Sequence, residues 1–143
     1  MGGEEESEAI PLRVESLVFI DMGEEIFGYR KLVAYQKAKE IVKRTYKLLE
    51  KFPADEHYAM CDQLRRASVS ITSNIAEGTN RFSVKDKAHF IEMAYGSLME
   101  VSSQFEVAED LGYITPEDRQ SMDKLIDEEA RLLAGLKRSF ERV

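Results

Sequence analysis

The sequence predicts an all-α protein that folds as an antiparallel, up-down-up-down four-helix bundle. The 143 residues include only 3 Pro and 8 Gly, which is few for a fold built from strands and turns. Apolar residues recur at steps of three and four in four successive segments, and this spacing places them on one face of an α-helix. The predicted links at residues 53–54, 79–82 and 112–114 are too short for a crossover connection, which favours antiparallel neighbours.

The first helix is predicted over residues 31–52. Pro53 should end it, because the residue before a proline is biased away from helical backbone. The spacing of its small and apolar residues predicts a single buried seam along one helix face. These seam residues are Tyr35, Ala38, Val42, Thr45, Leu49 and Phe52.

The second helix is predicted over residues 55–77, against a conflicting local signal. The stretch 67–73 alternates between small and β-branched residues, which is typical of a strand. A wider set of apolar positions keeps helical spacing, and no Gly or Pro interrupts it before Gly78. We therefore predict a helix that stops at Gly78, with small residues that let a neighbouring helix or subunit approach closely.

The third helix is predicted over residues 83–111 and the fourth over residues 115–140. Ser83 can cap the third helix, with Asp86 three residues later, and Gly112 should end it. Thr115 can cap the fourth helix, followed by Pro116 in its first turn. Both helices carry the same three-and-four spacing of apolar residues.

Two residues in these helices need a special explanation. Gly96 lies in the middle of the third helix, where glycine costs about 1 kcal/mol relative to alanine. Tight packing at Gly96 would explain its presence. Glu129 falls on the apolar seam of the fourth helix, so we expect it to be paired, near the end of the bundle, or at a subunit contact.

Residues 1–27 are predicted to be an N-terminal appendage to the bundle of residues 28–143. Their acidic start does not resemble a secretory signal, and Met22 could serve as a second start codon. The apolar run at 17–20 could add a strand or pack on a neighbour, but untied termini are more often loosely ordered.

A lone cysteine, Cys61, fits a reducing compartment and a buried position. With no apolar run of membrane-spanning length, we expect a cytoplasmic protein.

The charge is divided unevenly along the chain, although the net charge is −7. Residues 31–91 hold 12 basic and 7 acidic side chains, whereas residues 92–143 hold 6 basic and 12 acidic side chains. The first half of the bundle can therefore present a basic surface. We predict a nucleic-acid-binding patch composed of Lys37, Lys43, Arg44, Lys47, Arg65, Arg66, Arg81 and Lys85.

The alternative for these cations is a solvated helix surface, with Arg65 and Arg66 paired to carboxylates such as Glu100 or Glu106. Tyr29 and Phe82 lie near the basic positions and could stack on bases. Phosphate contact needs clustered positive charge but no particular motif, so the sequence leaves both interpretations open.

Catalytic and metal-binding patterns are weak. A di-iron bundle needs two Glu-x-x-His units, whereas this chain has two histidines and only one approximation, Asp86-x-x-His89. No nucleophile elbow or phosphate-binding glycine loop occurs. We therefore predict no catalytic residues, no cofactor and no metal site.

The stretch Gln63–Gly78 resembles the bacterial four-helix-bundle family encoded in intervening sequences of 23S rRNA genes, which is often labelled a ribosomal protein. Residues 32–38, 96–100 and 111–114 match the same family, so the resemblance covers about residues 27–140. Two departures are Thr72, where the family commonly has Pro, and Thr79-Asn80, where it usually has an aromatic residue and Gly. The first departure should leave the second helix straighter.

The resemblance implies what kind of partner the protein binds, which the residues alone do not indicate. Family members are similar to the pentameric accessory protein of diversity-generating retroelements, which binds nucleic acid and a reverse transcriptase. We therefore expect a non-catalytic homopentamer that binds RNA or DNA through its basic surface. From the residues themselves, the small side chains at Ala67, Ser70, Ser73 and Gly96, together with the wide apolar faces, exceed what one bundle core needs, which also favours a homo-oligomer. The alternative is an oligomeric protein–protein interaction module without nucleic-acid binding.

Overall fold

The computed structural model describes Phe19 and residues 27–142, and this part of the chain is all-α. Four long helices are joined by short links, and two single 3₁₀ turns precede α1 and α2. The helices are α1 (Val33–Leu49), α2 (Met60–Thr79), α3 (Val84–Asp110) and α4 (Pro116–Glu141), and the 3₁₀ turns are Gly28–Lys31 and Ala54–Glu56. Within the described residues no strand occurs, and no helix is both long and apolar enough to cross a membrane.

The N-terminal segment is described at one position before residue 27. Phe19 forms an isolated antiparallel bridge with Leu32, just ahead of α1, while its ring remains exposed. The rest of the apolar run at 17–20 lies outside the described residues. The predicted loose order of residues 1–27 and the predicted boundary at 27–28 therefore stay predictions.

The second helix is helical through the stretch whose alternation is typical of a strand. Residues 67–73 lie in the middle of α2, so the wider helical spacing outweighs the local β signal. Its start differs from the prediction, because the backbone after Pro53 forms the separate turn Ala54–Glu56 before α2 begins. The first link therefore spans residues 50–59, which is longer than the predicted 53–54.

Side-chain caps begin α3 and α4 where the sequence predicts them. The hydroxyl oxygen of Ser83 accepts a hydrogen bond from the Asp86 backbone N–H at 3.0 Å. Thr115 accepts one from the Asp118 N–H at 3.0 Å, and the Asp118 carboxylate accepts the Thr115 N–H at 3.1 Å. This reciprocal pair is a capping box, and it fixes the start of α4.

Gly112 ends α3 as predicted, through a left-handed backbone. Its φ of 80° is a conformation that residues with a Cβ rarely adopt. The Gly112 N–H bonds the Glu109 carbonyl, and the Tyr113 N–H bonds the Ala108 carbonyl, both at 2.9 Å. These two bonds satisfy the last carbonyls of the helix in a Schellman motif.

Each of the four helices packs against two others, in the pairs α1–α2, α2–α3, α3–α4 and α1–α4. The apolar seams predicted from the sequence meet in one core, except at Val42, which is half-buried and lies outside it. Cys61 belongs to this core and is buried, as predicted. Burial raises the pKa of its thiol, so Cys61 behaves as a small apolar side chain.

Gly78 does not end α2. It lies inside the helix, which continues to Thr79, and it has no left-handed backbone. Its role is close packing: a Cβ at this position would lie 2.7 Å from the Cβ of Phe90 on α3 and 3.4 Å from the Lys87 carbonyl oxygen. The missing side chain therefore lets α2 and α3 approach each other.

Gly96 shows the opposite arrangement. It is exposed on α3, and a Cβ there would meet no atom within 4 Å. The prediction of tight packing at Gly96 is therefore wrong for contacts within this chain. A helix glycine without a close neighbour retains only its conformational cost.

Glu129 is fully buried, and neither carboxylate oxygen has a hydrogen-bond partner among the described residues. None of the three predicted explanations holds, because Glu129 is unpaired, lies well inside α4, and is already covered by its own chain. Burial raises its pKa well above the usual value, since the charged form is poorly solvated; the positive charge of Lys37 opposes this effect.

Replacing the two helix glycines with alanine should have opposite effects. Gly78→Ala should destabilise the protein by about 1–3 kcal/mol, because the new Cβ overlaps Phe90. Gly96→Ala adds the same atom in open space, so it should stabilise by up to about 1 kcal/mol. Denaturant unfolding of both variants measures the difference, and equal effects would contradict the packing role of Gly78.

Glu129→Met should stabilise the protein at pH 8 by roughly 1–3 kcal/mol, the usual penalty of a buried unsatisfied polar group. The folded pKa of Glu129 lies above its unfolded value. Its protonated form is therefore compatible with the fold at low pH, and stability is lost as the pH rises through the folded pKa.

The stabilising effect of Glu129→Met should therefore shrink between pH 8 and pH 5. Thermal unfolding at both pH values tests this, with Asp127→Asn as a control that removes a neighbouring exposed carboxylate of the same helix. A stability gain that is independent of pH would argue against a titrating Glu129.

Candidate nucleic-acid interface

The eight cations predicted as one patch lie on three different parts of the surface. Lys37, Lys43, Arg44 and Lys47 are on α1, Arg65 and Arg66 are on α2, Arg81 is in the link 80–83, and Lys85 is in the first turn of α3. Arg66 and Arg81 are 15 residues apart, which is roughly 22 Å at 1.5 Å per helical residue. The structure therefore separates Arg81 and Lys85 from Arg65 and Arg66.

One side of α1 is tied to α4 by polar contacts. The Lys37 Nζ atom lies 3.3 Å from Glu128 and 3.4 Å from Glu40. Arg44 donates a hydrogen bond to the Ser121 hydroxyl, and Lys51 Nζ lies 2.6 Å from the Asp118 carboxylate. These cations already have partners, so phosphate contact would have to compete with those partners.

The pKa values of Lys37 and Asp118 agree with these contacts between α1 and α4. Burial acts to lower the pKa of Lys37, but the hydrogen bond to Glu128 and the nearby Glu40 outweigh it and raise the pKa. The hydrogen bond from Lys51 lowers the pKa of the Asp118 carboxyl below its usual value. Both groups are therefore charged at neutral pH, in contacts that are partly exposed to solvent.

Lys43 and Lys47 differ from their neighbours because they form no ion pair with any described residue. Both are exposed on the outer face of α1. They line one hollow towards α4 beside Leu125 and another on the surface of α1 beside Tyr46. This pair supplies positive charge that is not paired with a carboxylate of any described residue.

Arg65 and Arg66 are paired, although not with the carboxylates expected from the sequence. Both contact Asp62 on the same helix, Arg65 at 3.3 Å and Arg66 at 3.7 Å. Glu100 and Glu106 are not their partners. Arg65 also donates to the His57 carbonyl at 3.3 Å, which holds its guanidinium near the start of α2. The Arg66 side chain is 82% exposed, so its interaction with Asp62 is weak.

The remaining two cations lie near the α2–α3 link. The Arg81 guanidinium is 4.4 Å from the ring centroid of Phe90, a cation–π distance. Lys85 is exposed and forms no ion pair with a described residue. Phe82 between them is completely exposed, whereas Tyr29 is half-buried with its ring edge-on to Tyr35 at 4.9 Å. Of the two predicted stacking residues, the structure therefore leaves only Phe82 fully accessible.

The aromatic residue that the sequence interpretation missed is Tyr46. Its side chain is 44% exposed and lies between the cations of α1 and those of α2. The signal was present, since Tyr46 falls outside the apolar seam of α1 and directly precedes Lys47. Without the position of α2, however, nothing distinguished Tyr46 from other off-seam aromatic residues.

Groups suited to metal binding do not come together in the described part of the chain. No cluster of three His, Cys, Asp or Glu side chains is found there. The Asp86 backbone N–H donates to the Ser83 cap of α3, and His89 is exposed beside Phe90. The absence of a metal site and of catalysis stays a prediction.

Comparison with known proteins gives the family and the fold. A family model described as the 23S rRNA-intervening sequence protein matches residues 30–135. A crystal structure of a protein of unknown function from the S23 ribosomal protein family of Bacteroides thetaiotaomicron superposes with a TM-score of 0.68. It is 24% identical and covers 74% of this chain and 96% of its own, a likeness in fold. No curated protein matches the chain. Because the family model spans most of the chain, the protein belongs to the 23S rRNA-intervening sequence protein family.

Proposed function

We propose that this protein is a non-catalytic, oligomeric scaffold that binds nucleic acid through the exposed cations of α1 and α2. The observation that carries the proposal is the pair Lys43 and Lys47, which are exposed and have no carboxylate partner among the described residues. Such uncompensated charge favours phosphate, because binding releases the condensed counterions of the nucleic acid. The family name, which refers to an rRNA gene, supports RNA as the first ligand to test.

The predicted patch is smaller in this proposal than in the sequence interpretation. Lys43, Lys47 and Arg66 form its accessible centre, and Arg65 borders it. Lys37 and Arg44 are held by α4, so they contribute to the local potential more than to direct contact. Arg81 and Lys85 form a separate basic region beside Phe82.

An antiparallel, up-down-up-down bundle is the topology that we propose for the scaffold. The α1–α4 contacts support it, because Lys37 meets Glu128 whereas Lys51 meets the earlier residue Asp118. The hydroxyl group of Tyr113 donates to Glu56 at 2.7 Å, which brings the links 111–115 and 50–59 to the same end. Both observations fit helices that reverse direction at each link.

A homo-oligomer, most simply a pentamer, is the proposed assembly. Ala67 and Ser70 give little support to it, because Ala67 is buried in its own chain and Ser70 is half-buried, with its hydroxyl accepting a hydrogen bond from Ser97 at 2.9 Å. The support comes instead from α3, where several apolar side chains remain exposed, three of them within one turn of Gly96. These side chains are Met93, Tyr95, Met99 and Val107. The number five comes from the family resemblance, and a cytoplasmic location is proposed with it.

The alternative function is a protein–protein interaction module that does not bind nucleic acid. The same exposed apolar surface of α3 favours it, since such surfaces commonly mark protein contacts. In this case Lys43 and Lys47 would serve solubility only. The two functions differ in whether charge reversal at α1 changes RNA binding.

Charge reversal at the centre of the patch should weaken RNA binding at least tenfold at low salt. The variant Lys43→Glu, Lys47→Glu replaces attraction with repulsion at the two unpaired cations. Fluorescence anisotropy between low and moderate salt should give the parent a log affinity that falls linearly with log salt, with a slope near −0.7 per phosphate neutralised. For the variant, the slope of log affinity against log salt should be smaller in magnitude by the contribution of about two neutralised phosphates.

The matched control for this experiment is Lys124→Glu, Arg138→Glu, which changes the net charge equally on α4. Both of its positions are exposed. If the control weakens binding as much as the α1 variant, the effect is one of net charge. If the parent does not bind RNA even at low salt, the interaction-module function replaces the proposal.

The oligomer should have a mass of about five times the 16.4 kDa of one chain at micromolar concentration. Multi-angle light scattering measures this directly. Met99→Lys places a charge in the exposed apolar surface of α3, so it should reduce the mass without loss of helicity. A parent protein that elutes with the mass of a single chain would rule out the assembly.

A further inference from the structure

The outer groove between α1 and α2 combines an exposed aromatic ring with positive charge. Tyr46 lines two hollows of about 450 and 380 Å³, the larger between Tyr46 and α2 and the smaller on the surface of α1, and we call the two together the α1–α2 groove. The larger hollow is lined by Tyr46, Arg65, Arg66, Val69, Ser70 and Ser73. The smaller is lined by Val42, Lys43, Tyr46, Lys47 and Glu50. Four of these residues are basic and Glu50 alone is acidic, so the groove is suited to an anionic ligand.

The Tyr46 ring has no partner within the described part of the chain. It forms no ring–ring contact, cation–π contact or side-chain hydrogen bond with another described residue. Val69, 40% exposed, adds apolar surface to the same groove. An aromatic ring that is exposed among cations has the two features of a stacking site for a nucleobase, a free π-face and nearby phosphate-binding charge.

The other side of α1 lacks this combination. The hollows between α1 and α4 are lined by Arg44, Lys51 and their neighbours, and no aromatic side chain is among the lining residues. Arg44 and Lys51 are held there by Ser121 and Asp118. Lys43 and Lys47, in contrast, line a hollow on this side as well as the smaller hollow beside Tyr46. Base stacking therefore has a site on the α2 side of α1 and none in the α4-side hollows.

We propose that the α1–α2 groove binds single-stranded nucleic acid, with an unpaired base stacked on Tyr46 and phosphates held by Lys43, Lys47 and Arg66. This inference rests on the proposed function and narrows its ligand to unpaired strands. A duplex keeps its bases inside the stack, so its bases cannot reach the ring. Stacking accepts any base, because every base has a π-face, so binding depends on strand accessibility more than on sequence.

Three ligands separate stacking from simple phosphate attraction. They are a fluorescently labelled single-stranded RNA 12-mer, a duplex of the same sequence, and an abasic 12-mer with the same phosphates. The parent should bind the single strand roughly 5- to 100-fold more tightly than the abasic strand, the range that base–aromatic stacking supplies. Tyr46→Ala should remove this preference while leaving the affinity for the abasic strand unchanged.

Tyr46→Trp keeps a stacking surface and adds a reporter. The chain contains no tryptophan, so the new side chain is its only indole fluorophore. This variant should retain the affinity for the single strand. Its fluorescence should be quenched by the single strand and much less by the abasic strand.

Tyr58→Ala is the matched control, because Tyr58 is 86% exposed and lies in the link 50–59, outside both the groove lining and the apolar surface of α3. It should leave the preference for the single strand intact. Equal binding of the single and abasic strands by the parent overturns the inference. So does an equal loss in Tyr58→Ala and Tyr46→Ala, or a change of oligomeric mass in Tyr46→Ala, which would make the groove a contact between copies of this chain.

The inference and the proposed function fail in different ways. If Tyr46→Ala is neutral while Lys43→Glu, Lys47→Glu still weakens binding, the stacking site is wrong and the nucleic-acid scaffold stands. If none of the three ligands binds the parent at low salt, both are overturned.

Discussion

The close approach of α2 and α3 is the constraint on which the rest of this structure depends. Three contacts mark it along the two helices. Gly78 leaves room for Phe90, Ser70 and Ser97 share a hydrogen bond of 2.9 Å, and Gln104 donates to Gln63 at 3.1 Å. Small side chains allow two helix backbones to approach in this way, at the expense of local helix propensity. The same small residues make the central part of α2 look like a strand in sequence.

This packing determines what remains for the outer surface. Once α2 uses its small face against α3 and its apolar face in the core, Val69, Arg66 and Ser73 are left outward, next to α1. The α1 seam turns inward in the same way, which leaves Lys43, Tyr46 and Lys47 outside. The residues of the candidate interface are therefore exposed because the apolar faces of α1 and α2 are turned into the core.

Glu129 is a buried acidic residue in a largely apolar core. A carboxylate without hydrogen bonds in a fully buried position lowers stability at neutral pH, yet the fold accommodates it within α4. Lys37, whose charge acts on Glu129, is also paired with Glu128 at the α1–α4 contact. The protonation of one core residue is therefore linked to the side of α1 that is held by α4.

The sequence by itself determined the four helices, the N-terminal caps of α3 and α4, the end of α3 and most of the core, because these depend on periodicity and on local backbone chemistry. Ser83, Thr115 and Gly112 act within a few residues of their own positions, so their roles could be predicted locally. Only the tertiary structure decided the roles of Gly78, Gly96 and Tyr46. Each of these roles depends on the distance to a second helix, and the spacing of residues along one helix does not indicate that distance. The same holds for cations such as Lys37 and Arg44: the sequence shows that they are basic, but only the packing of α4 against α1 supplies their partners Glu128 and Ser121.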